Sequence, residues 1–221
     1  MSYNFPEGAK FLFSPLSTFA AAKTVTAMSN ANPCSVAAAA HGLVDGDEAL
    51  LQCGWEDAND TIFRIDQTDA ANFLLLDFDT SDTGAFSPGG GVAAGASVQK
   101  VGTWLEIPQV LTIANSGGDP RYTQVQPLSR KTAFSIPVGF NPSQITLTLG
   151  HDPANAVFKQ MLAISRATRK VGFKLLLNGG AAMYGFGYMA VSDVPALNAG
   201  QVNQVSVAFA IQGRVMSYAG T

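Results

Sequence analysis

The sequence predicts a mainly β chain with antiparallel sheets and one α-helix. In residues 145–150 and 204–215, apolar side chains alternate with small or weakly polar ones, which is the period of a strand with two unlike faces. Residues 23–79 contain short apolar segments separated by polar turns, as in a β meander. Residues 152–169 place apolar side chains at helical spacing. The length suffices for one large domain or two small ones, and we expect residues 1–221 to form a single domain.

The N-terminal segment 1–22 is either a first strand followed by a loop or an apolar arm that docks on a neighbouring molecule. It contains Phe5, Phe11 and Phe13 together with two prolines, which argue against a helix. Both interpretations fit the sequence.

Four strands are predicted in the acidic region that follows, at 24–27, 49–53, 61–65 and 72–78. Residues 80–99 are rich in glycine, serine and alanine, and we expect a mobile loop there. Further short strands, separated by turns that contain glycine and proline, are predicted within 100–113, 122–127 and 133–138.

The helix is predicted over residues 152–169. Asp152 suits the N-cap position and Pro153 suits the first turn. Arginine and lysine follow at the end, where cations interact favourably with the helix dipole. The apolar stripe of this helix contains Val157, Phe158, Met161 and Leu162.

A hairpin at 174–191 and a strand at 204–215 complete the pattern. One face of the last strand is apolar and contains Val205, Val207, Phe209 and Ile211. The other face contains Gln204, Ser206, Gln212 and Arg214, and the strand at 145–150 repeats this pattern with Thr146 and Thr148. Such a face is either an ordinary solvent face or a smooth inner wall along which another molecule moves.

The composition points to a surface shared with other subunits. Charged residues make up 13% of the chain, about half of the usual ~25% for soluble proteins. Interfaces are depleted in charge, so we expect part of the surface to be covered by other subunits. Residues 1–99 carry three bases and twelve acids, and residues 100–221 carry ten bases and four acids. These regions are either separate solvated faces or surfaces that meet head to tail between copies.

Several function classes lack support in the sequence. A net charge of −3 argues against a primary nucleic-acid binder. There is no apolar run of 18 residues and no signal-peptide pattern, so we expect no membrane span and no secretion. Cys34 and Cys53 are expected to be free thiols, and neither His41 nor His151 has a nucleophile at a recognisable spacing. We therefore predict no catalytic site, no metal site and no cofactor.

The chain resembles the major tail tube proteins of long-tailed bacteriophages, especially the non-contractile type. The segments that carry this resemblance are AHGLVDGDEALLQCGW, NFLLLDFDTSDTGAFSPGGG, WLEIPQV, SGGDPRYTQVQPL, LTLGHDP and LLLNGGAAMYGFGYMAVSDVPALNAGQVNQVSVAFAIQGRVMSY. The resemblance implies a β-sandwich of two antiparallel sheets with one flanking helix. It also implies that six copies form a ring, that their inner sheets join into one barrel, and that rings stack into a tube for DNA ejection.

The resemblance assigns roles to particular residues. Thr146, Thr148, Gln204, Ser206, Gln212 and Arg214 would face the lumen. The core under the helix would contain Val157, Phe158, Met161, Leu162, Val205, Val207, Phe209 and Ile211. Contacts between rings or subunits would come from the N-terminal arm and the glycine-rich loop, through Phe5, Phe11, Phe13, Phe86, Pro88 and Gly90.

The resemblance also implies partners and a location. The partners are further copies of the chain, a tape-measure protein, a tail terminator and tail-tip proteins, and DNA would pass through the lumen without specific binding. The protein would lie in the virion tail after assembly in the host cytoplasm, with no membrane partner. The alternatives are a tail terminator, a capsid decoration protein and a secretion-system tube subunit.

Overall fold

The computed structural model describes residues 8–93, 95–197, 199–200 and 202–220. Within them the chain forms two large antiparallel sheets, a two-stranded ribbon and one α-helix, which confirms the predicted mainly β fold. In chain order the strands are β1 (Lys10–Pro15), β2 (Lys23–Thr24), β3 (Ala27–Met28), β4 (Cys34–Ala37), β5 (Glu48–Gln52), β6 (Thr61–Gln67), β7 (Asn72–Leu75), β8 (Ser97–Lys100), β9 (Leu105–Glu106), β10 (Val110–Ser116), β11 (Pro120–Val125), β12 (Phe134–Phe140), β13 (Gln144–Gly150), β14 (Lys170–Leu176), β15 (Ala182–Val191), β16 (Gln204–Ile211) and β17 (Met216–Tyr218). Helix α1 (Ala156–Arg166) joins β13 to β14.

The strands divide between the sheets according to position in the chain. The first sheet has the order β10–β13–β16–β15–β14–β1–β9, with β17 also paired to β15. The second sheet has the order β2–β8–β5–β6–β7–β4–β3, so it uses residues from the N-terminal half. Strands β11 and β12 pair with each other and form the ribbon. Strand β1 is the N-terminal contribution to the first sheet, where it lies next to the edge strand β9 and pairs with β14 and β9.

The first sheet is strongly curled. Its edge strands β9 and β10 are joined by residues 107–109, which can span at most about 14 Å. Seven strands in a flat sheet would place those edges about 29 Å apart. The linking residues also continue the pairing, because Ile107 N–H donates to the Phe11 carbonyl and Gly150 N–H donates to the Gln109 carbonyl. The sheet therefore has a concave face, which is nearly closed at this end.

Helix α1 packs on the concave face and completes one of the two hydrophobic cores. Five of the residues predicted to lie in this core are buried there, namely Phe158, Met161, Val205, Val207 and Phe209. Val157, Leu162 and Ile211 are half-buried at its margin. Ile164, Phe11 and Phe13 are buried in the same cluster, although the sequence pattern did not assign them to it. The prediction that Phe11 and Phe13 contact other subunits is wrong, because β1 lies within the sheet and turns both rings inward.

The helix is shorter than predicted and begins at a different residue. The N-cap is Asn155, whose side-chain oxygen accepts hydrogen bonds from the backbone N–H groups of Val157 and Phe158. Asp152 instead accepts from Ala154 N–H in the turn that precedes the helix. Both residue types suit a cap, and in the structure Asn155 is the one that caps the helix.

Replacing Asn155 with alanine should therefore lower the free energy of unfolding by about 1 kcal/mol, because two N–H groups of the first turn lose their acceptor. Urea denaturation of the unassembled subunit measures this change. Asp152→Ala is the matched control and should have the smaller effect. A larger loss for Asp152→Ala would show that the helix begins where the sequence pattern placed it.

The second sheet packs against the opposite face of the first sheet and forms the other core. Tyr184, Phe186 and Tyr218 of the first sheet are buried in one cluster with residues of the second sheet such as Phe63 and Ile65. The Tyr218 hydroxyl accepts from Arg64 N–H and donates to the Leu76 carbonyl, which fastens β17 to the second sheet. Burial raises the pKa of Tyr218 to about 12.

A group of polar side chains joins the two sheets around Glu48. Its carboxylate accepts from Lys174 Nζ at 2.7 Å, from the Tyr184 hydroxyl at 2.9 Å and from Trp104 Nε1 at 2.9 Å. Burial, followed by the neighbouring Glu48 charge, raises the pKa of the Tyr184 hydroxyl above its ordinary value. Because each donor has this carboxylate as its acceptor, Glu48 satisfies three polar groups that the packing of the sheets would otherwise leave buried.

Residues 80–93 of the glycine-rich segment 80–99 pack against the second sheet, and residues 97–99 belong to β8, whereas the sequence predicted a mobile loop. Phe86 is buried between Trp55 and Phe78, with ring centroids 5.3 and 5.5 Å away. Trp55 Nε1 also donates to the Ser87 carbonyl, and Gly54 N–H donates to the Gly91 carbonyl. The loop thus closes one end of the second core, and composition alone gave no indication of these contacts.

Candidate functional site

One face of the first sheet is free of charge and accessible to solvent, and we call it the uncharged face. It lies opposite the helix, beyond the part covered by the second sheet. The pairing of Thr146 with Ala208 and of Thr148 with Ser206 sets its register. Its residues are all half-buried or exposed and are Thr112, Ala114, Ser116, Gln144, Thr146, Thr148, Tyr188, Ala190, Gln204, Ser206, Ala208 and Ala210. None of these residues is acidic or basic. Lys170 of β14 borders the face opposite Tyr188 and is ion-paired with Asp60. The surface can therefore pass a charged polymer without holding it by ion pairs.

Four of the six residues predicted to face a lumen lie on the uncharged face: Thr146, Thr148, Gln204 and Ser206. The face also takes in residues of β10 and β15 that the sequence analysis did not select. The alternation of Thr112, Ala114 and Ser116 with larger side chains was the signal for β10. The pairing of β10 with β13 places these three residues on the same face as Thr146 and Thr148.

Gln212 and Arg214 do not continue the uncharged face, and their assignment to a lumen stays a prediction. Strand β16 ends at Ile211, and two extra residues separate its pairing with β15 from that of β17. Gln212 N–H donates to the Phe186 carbonyl, and Arg214 N–H donates to Thr61 Oγ1 of the second sheet. The alternation along β16 therefore stops before these residues, which lie at the junction of the two sheets.

Strand β10 is an open edge of the first sheet. It pairs with β13 on one side and is exposed along most of its length, including Leu111 and Ile113. Its sequence VLTIANS contains no charged residue and no proline. Charges and prolines are the features that commonly protect an edge from pairing with another strand. The β10 edge is therefore suited to pairing with another molecule.

An apolar groove opens on the concave face at the end remote from α1. Its volume is about 390 Å³. We call it the apolar groove, and its apolar walls are Ile113, Ile145, Leu175, Met183, Ile211 and Val215. Residues at the base of the ribbon, Ser116, Gly117 and Ser143, form its rim. The helix fills the concave face at one end, and the groove is the part that it leaves uncovered.

The ribbon projects from the first sheet as a continuation of the hairpin formed by β10 and β13. Gly117 and Gly118 have positive φ values of 81° and 76° in the link between β10 and β11, where the chain changes direction. Nearly every residue of β11 and β12 is exposed. Prolines at 120 and 137 are tolerated because each strand of a two-stranded ribbon is an edge strand.

Most of the residues predicted to contact other subunits pack within their own chain. Phe86 is buried in the second core, so its assignment to a contact is wrong. Gly90 is half-buried, and a side chain there would meet Ser87 and Trp55 of its own loop. Pro88 is exposed, and its contact stays a prediction. Phe5 lies outside the described residues.

The two histidines have structural surroundings. His41 is buried, its Nδ1 accepts from Leu43 N–H, and its Nε2 lies 3.0 Å from the Asp69 carbonyl. His151 stacks edge-on against Phe158 beside the start of α1. In the described ranges, no group of three or more metal-ligating side chains could hold a metal ion, and no helix there could cross a bilayer. Cys34 and Cys53 are free thiols in this structure, and burial raises the pKa of Cys53 to about 11.

Comparison with known protein families gives one finding. A family model described as phage tail tube protein, TTP, matches residues 53–220. A comparison with curated proteins found no match. The matched region spans β6 to β17, and so it includes the uncharged face, the β10 edge, the apolar groove and the ribbon.

Proposed function

Because this chain belongs to the phage tail tube protein family, we propose that six copies close into a ring and that the rings stack into the tube through which DNA is ejected. Family membership makes the chain a structural subunit of a virion tail. The ring of six, the stacking and the passage of DNA are our proposal. The number six is the one that the sequence resemblance implies.

The observation that carries this proposal is the uncharged face. We assign it to the lumen wall, with Thr146, Thr148, Gln204 and Ser206 at its centre. A protein that binds DNA neutralises phosphates with lysine and arginine, and the strength of binding grows with each such contact. The uncharged face has neither of these, and it also lacks carboxylates that would repel phosphates. DNA would therefore move along this wall without being held at any point.

The open β10 edge supports closure into a ring. Each copy would pair this edge with the sheet of its neighbour, so that the uncharged faces join into one continuous surface. Closed rings remove exposed sheet edges and with them the risk of uncontrolled pairing. The exposed apolar side chains Leu111 and Ile113 on this strand would be covered by the same contact.

A tube of stacked rings also implies partner proteins inside its lumen and at its two ends. We propose that a tape-measure protein occupies the lumen during assembly, and that a tail terminator and tail-tip proteins cap the ends. The assembly would take place in the host cytoplasm. None of these partners requires a cofactor or a catalytic residue of this chain.

Electron microscopy of the purified protein in negative stain tests the proposal. The expected result is rings or tubes about 100 Å wide or less, given six subunits of this size. Particles that stay monomeric at high concentration, both when purified and in crude lysates, would overturn it.

Replacing Ser206 with tryptophan tests the lumen assignment. The rings should still form, because Ser206 is exposed and lies away from the sheet edges. Six indoles per ring should narrow the lumen and slow DNA ejection about tenfold or more, which corresponds to an added barrier of about 1.4 kcal/mol. The measurement is DNA release per assembled tail in virions that carry the variant.

Lys159→Trp is the matched control, because Lys159 is exposed on the outer side of α1. It should leave DNA release unchanged. If Ser206→Trp prevents rings from forming while Lys159→Trp does not, the uncharged face is an interface between subunits and not a lumen wall.

A further inference from the structure

Nearly every residue of the ribbon is exposed, and neither hydrophobic core of the subunit includes it. Its two strands pair with each other and, among the described residues, with no third strand. A two-stranded hairpin alone is marginally stable in water, and it usually needs a further strand or a packed face. A surface outside this subunit would supply that packing.

The ribbon presents apolar side chains on both faces. Tyr122 and Pro137 are paired on one face, and the pairs Thr123–Ile136 and Val125–Phe134 lie on the other. Six of the twelve large exposed hydrophobic residues of the described chain fall within residues 120–140. This concentration in a short segment distinguishes an interaction surface from the scattered exposed residues of an ordinary surface.

The apolar groove has matching chemistry. Its apolar walls come from five strands of the first sheet and from the link between β16 and β17. The lining contains no charged residue. Leu175, Met183 and Ile211 are half-buried, so a docked segment could complete their burial. An apolar strand pair such as the ribbon has the chemistry to cover these walls.

We propose that the ribbon is an arm that docks into the apolar groove of a second copy of this chain. This inference rests on the proposed function, which places identical copies next to one another. Each copy then offers one arm and one groove, and such a head-to-tail contact can repeat around a ring or along a tube. A standard interface uses about 20 to 30 residues a side, which is the length of the ribbon with its two links.

Charge also favours another copy as the partner. The link between β11 and β12 carries Arg130 and Lys131, while the second sheet and its loops hold eleven acids between Asp45 and Asp82. The arm of one copy and the acidic region of another copy therefore carry opposite charge. The unequal charge of residues 1–99 and 100–221 thereby acquires a structural role between copies.

Replacing Ile136 with aspartate tests the arm directly. The change should leave the circular dichroism spectrum of the subunit unaltered, because Ile136 is 42% exposed and outside both cores. The protein concentration at which rings or tubes appear should rise at least about tenfold. Gln124→Asp, which adds the same charge on the other face of the ribbon, is the comparison and should have the smaller effect.

Disulfide trapping identifies the partner surface. Ile136→Cys and Met183→Cys are made in separate copies, mixed, assembled and oxidised. The mixture should give a covalent dimer, and each variant alone should give little. The control pairs Ile136→Cys with Val44→Cys, which is more exposed than Met183, at 53%, but lies in the second-sheet region.

The outcomes separate this inference from the proposed function. If the wild-type protein assembles, the Ile136→Asp variant assembles at the same concentration and the trapped dimer is absent, the arm is wrong and the tube function stands. If Ile136→Asp forms normal tubes but loses the binding of a different tail protein, the second copy is the wrong partner. A wild-type protein that never assembles overturns both.

Discussion

Replacing Phe209 with alanine is expected to lower the free energy of unfolding of the subunit by about 3 to 5 kcal/mol. The ring is 1% exposed, and its centroid lies 5.1 Å from that of Phe11 and 5.8 Å from that of Phe173. These three rings come from β16, β1 and β14, so they join the centre of the curled sheet to its N-terminal strand. Truncation would leave a cavity that the curled backbone cannot readily close.

The measurement is urea denaturation of the unassembled subunit. Phe140→Ala is the matched control, because it removes the same atoms from a side chain that is 74% exposed. It should change the free energy of unfolding by no more than about 0.5 kcal/mol. Equal effects of the two substitutions would contradict the position of β16 over the concave core.

The second large effect is expected from Glu48. Replacing Glu48 with alanine should lower the free energy of unfolding by about 3 kcal/mol, because it leaves a largely buried lysine without its counter-ion. The side chains of Lys174 and Glu48 are 18% and 17% exposed, and their ion-pair distance is 2.7 Å. Tyr184 and Trp104 lose their acceptor at the same time.

Glu106→Ala provides the control for Glu48→Ala. The Lys10–Glu106 pair has a distance of 2.9 Å, but both side chains are more than half exposed. Its loss should cost at most about 1 kcal/mol. Glu48→Gln should lie between the two, since the amide oxygen still accepts from one donor. Similar losses for Glu48→Ala and Glu106→Ala, again by urea denaturation, would show that the inter-sheet group does not stabilise the fold.

Local sequence patterns predicted most of the strands. Where the predicted elements differ from the structure, the cause can be identified. The strands of the second sheet were found within a few residues, with two exceptions. The alanines around β4 obscure its alternation, and β8 lies almost entirely in the segment 80–99 that was predicted as a loop. The helix was found but extended too far at both ends. Its N-terminal turn contains Asp152 and Asn155, either of which suits a cap. The choice depends on how the chain leaves β13, which propensity does not encode.

The candidate surfaces were predicted only in part. Thr148 and Ser206 were selected from alternation alone, and the structure pairs them directly. The ribbon was read as ordinary short strands, because its strand pattern contains nothing that separates an exposed strand from a buried one. The N-terminal phenylalanines were assigned to contacts for the same reason. Their partners on β14 lie more than 150 residues away in the sequence.

The sequence by itself determined which side chains share a face of β13 and of β16, because side-chain direction alternates with every residue of an extended chain. It also determined that the chain is mainly β, low in charge and built around one amphipathic helix. Only the tertiary structure decided which of these faces is covered. The curl of the first sheet places Phe11, Phe13 and α1 inside, leaves Thr146 and Ser206 outside, and frees the ribbon from both cores. Burial depends on pairing between distant strands, and a local pattern carries no information about that pairing.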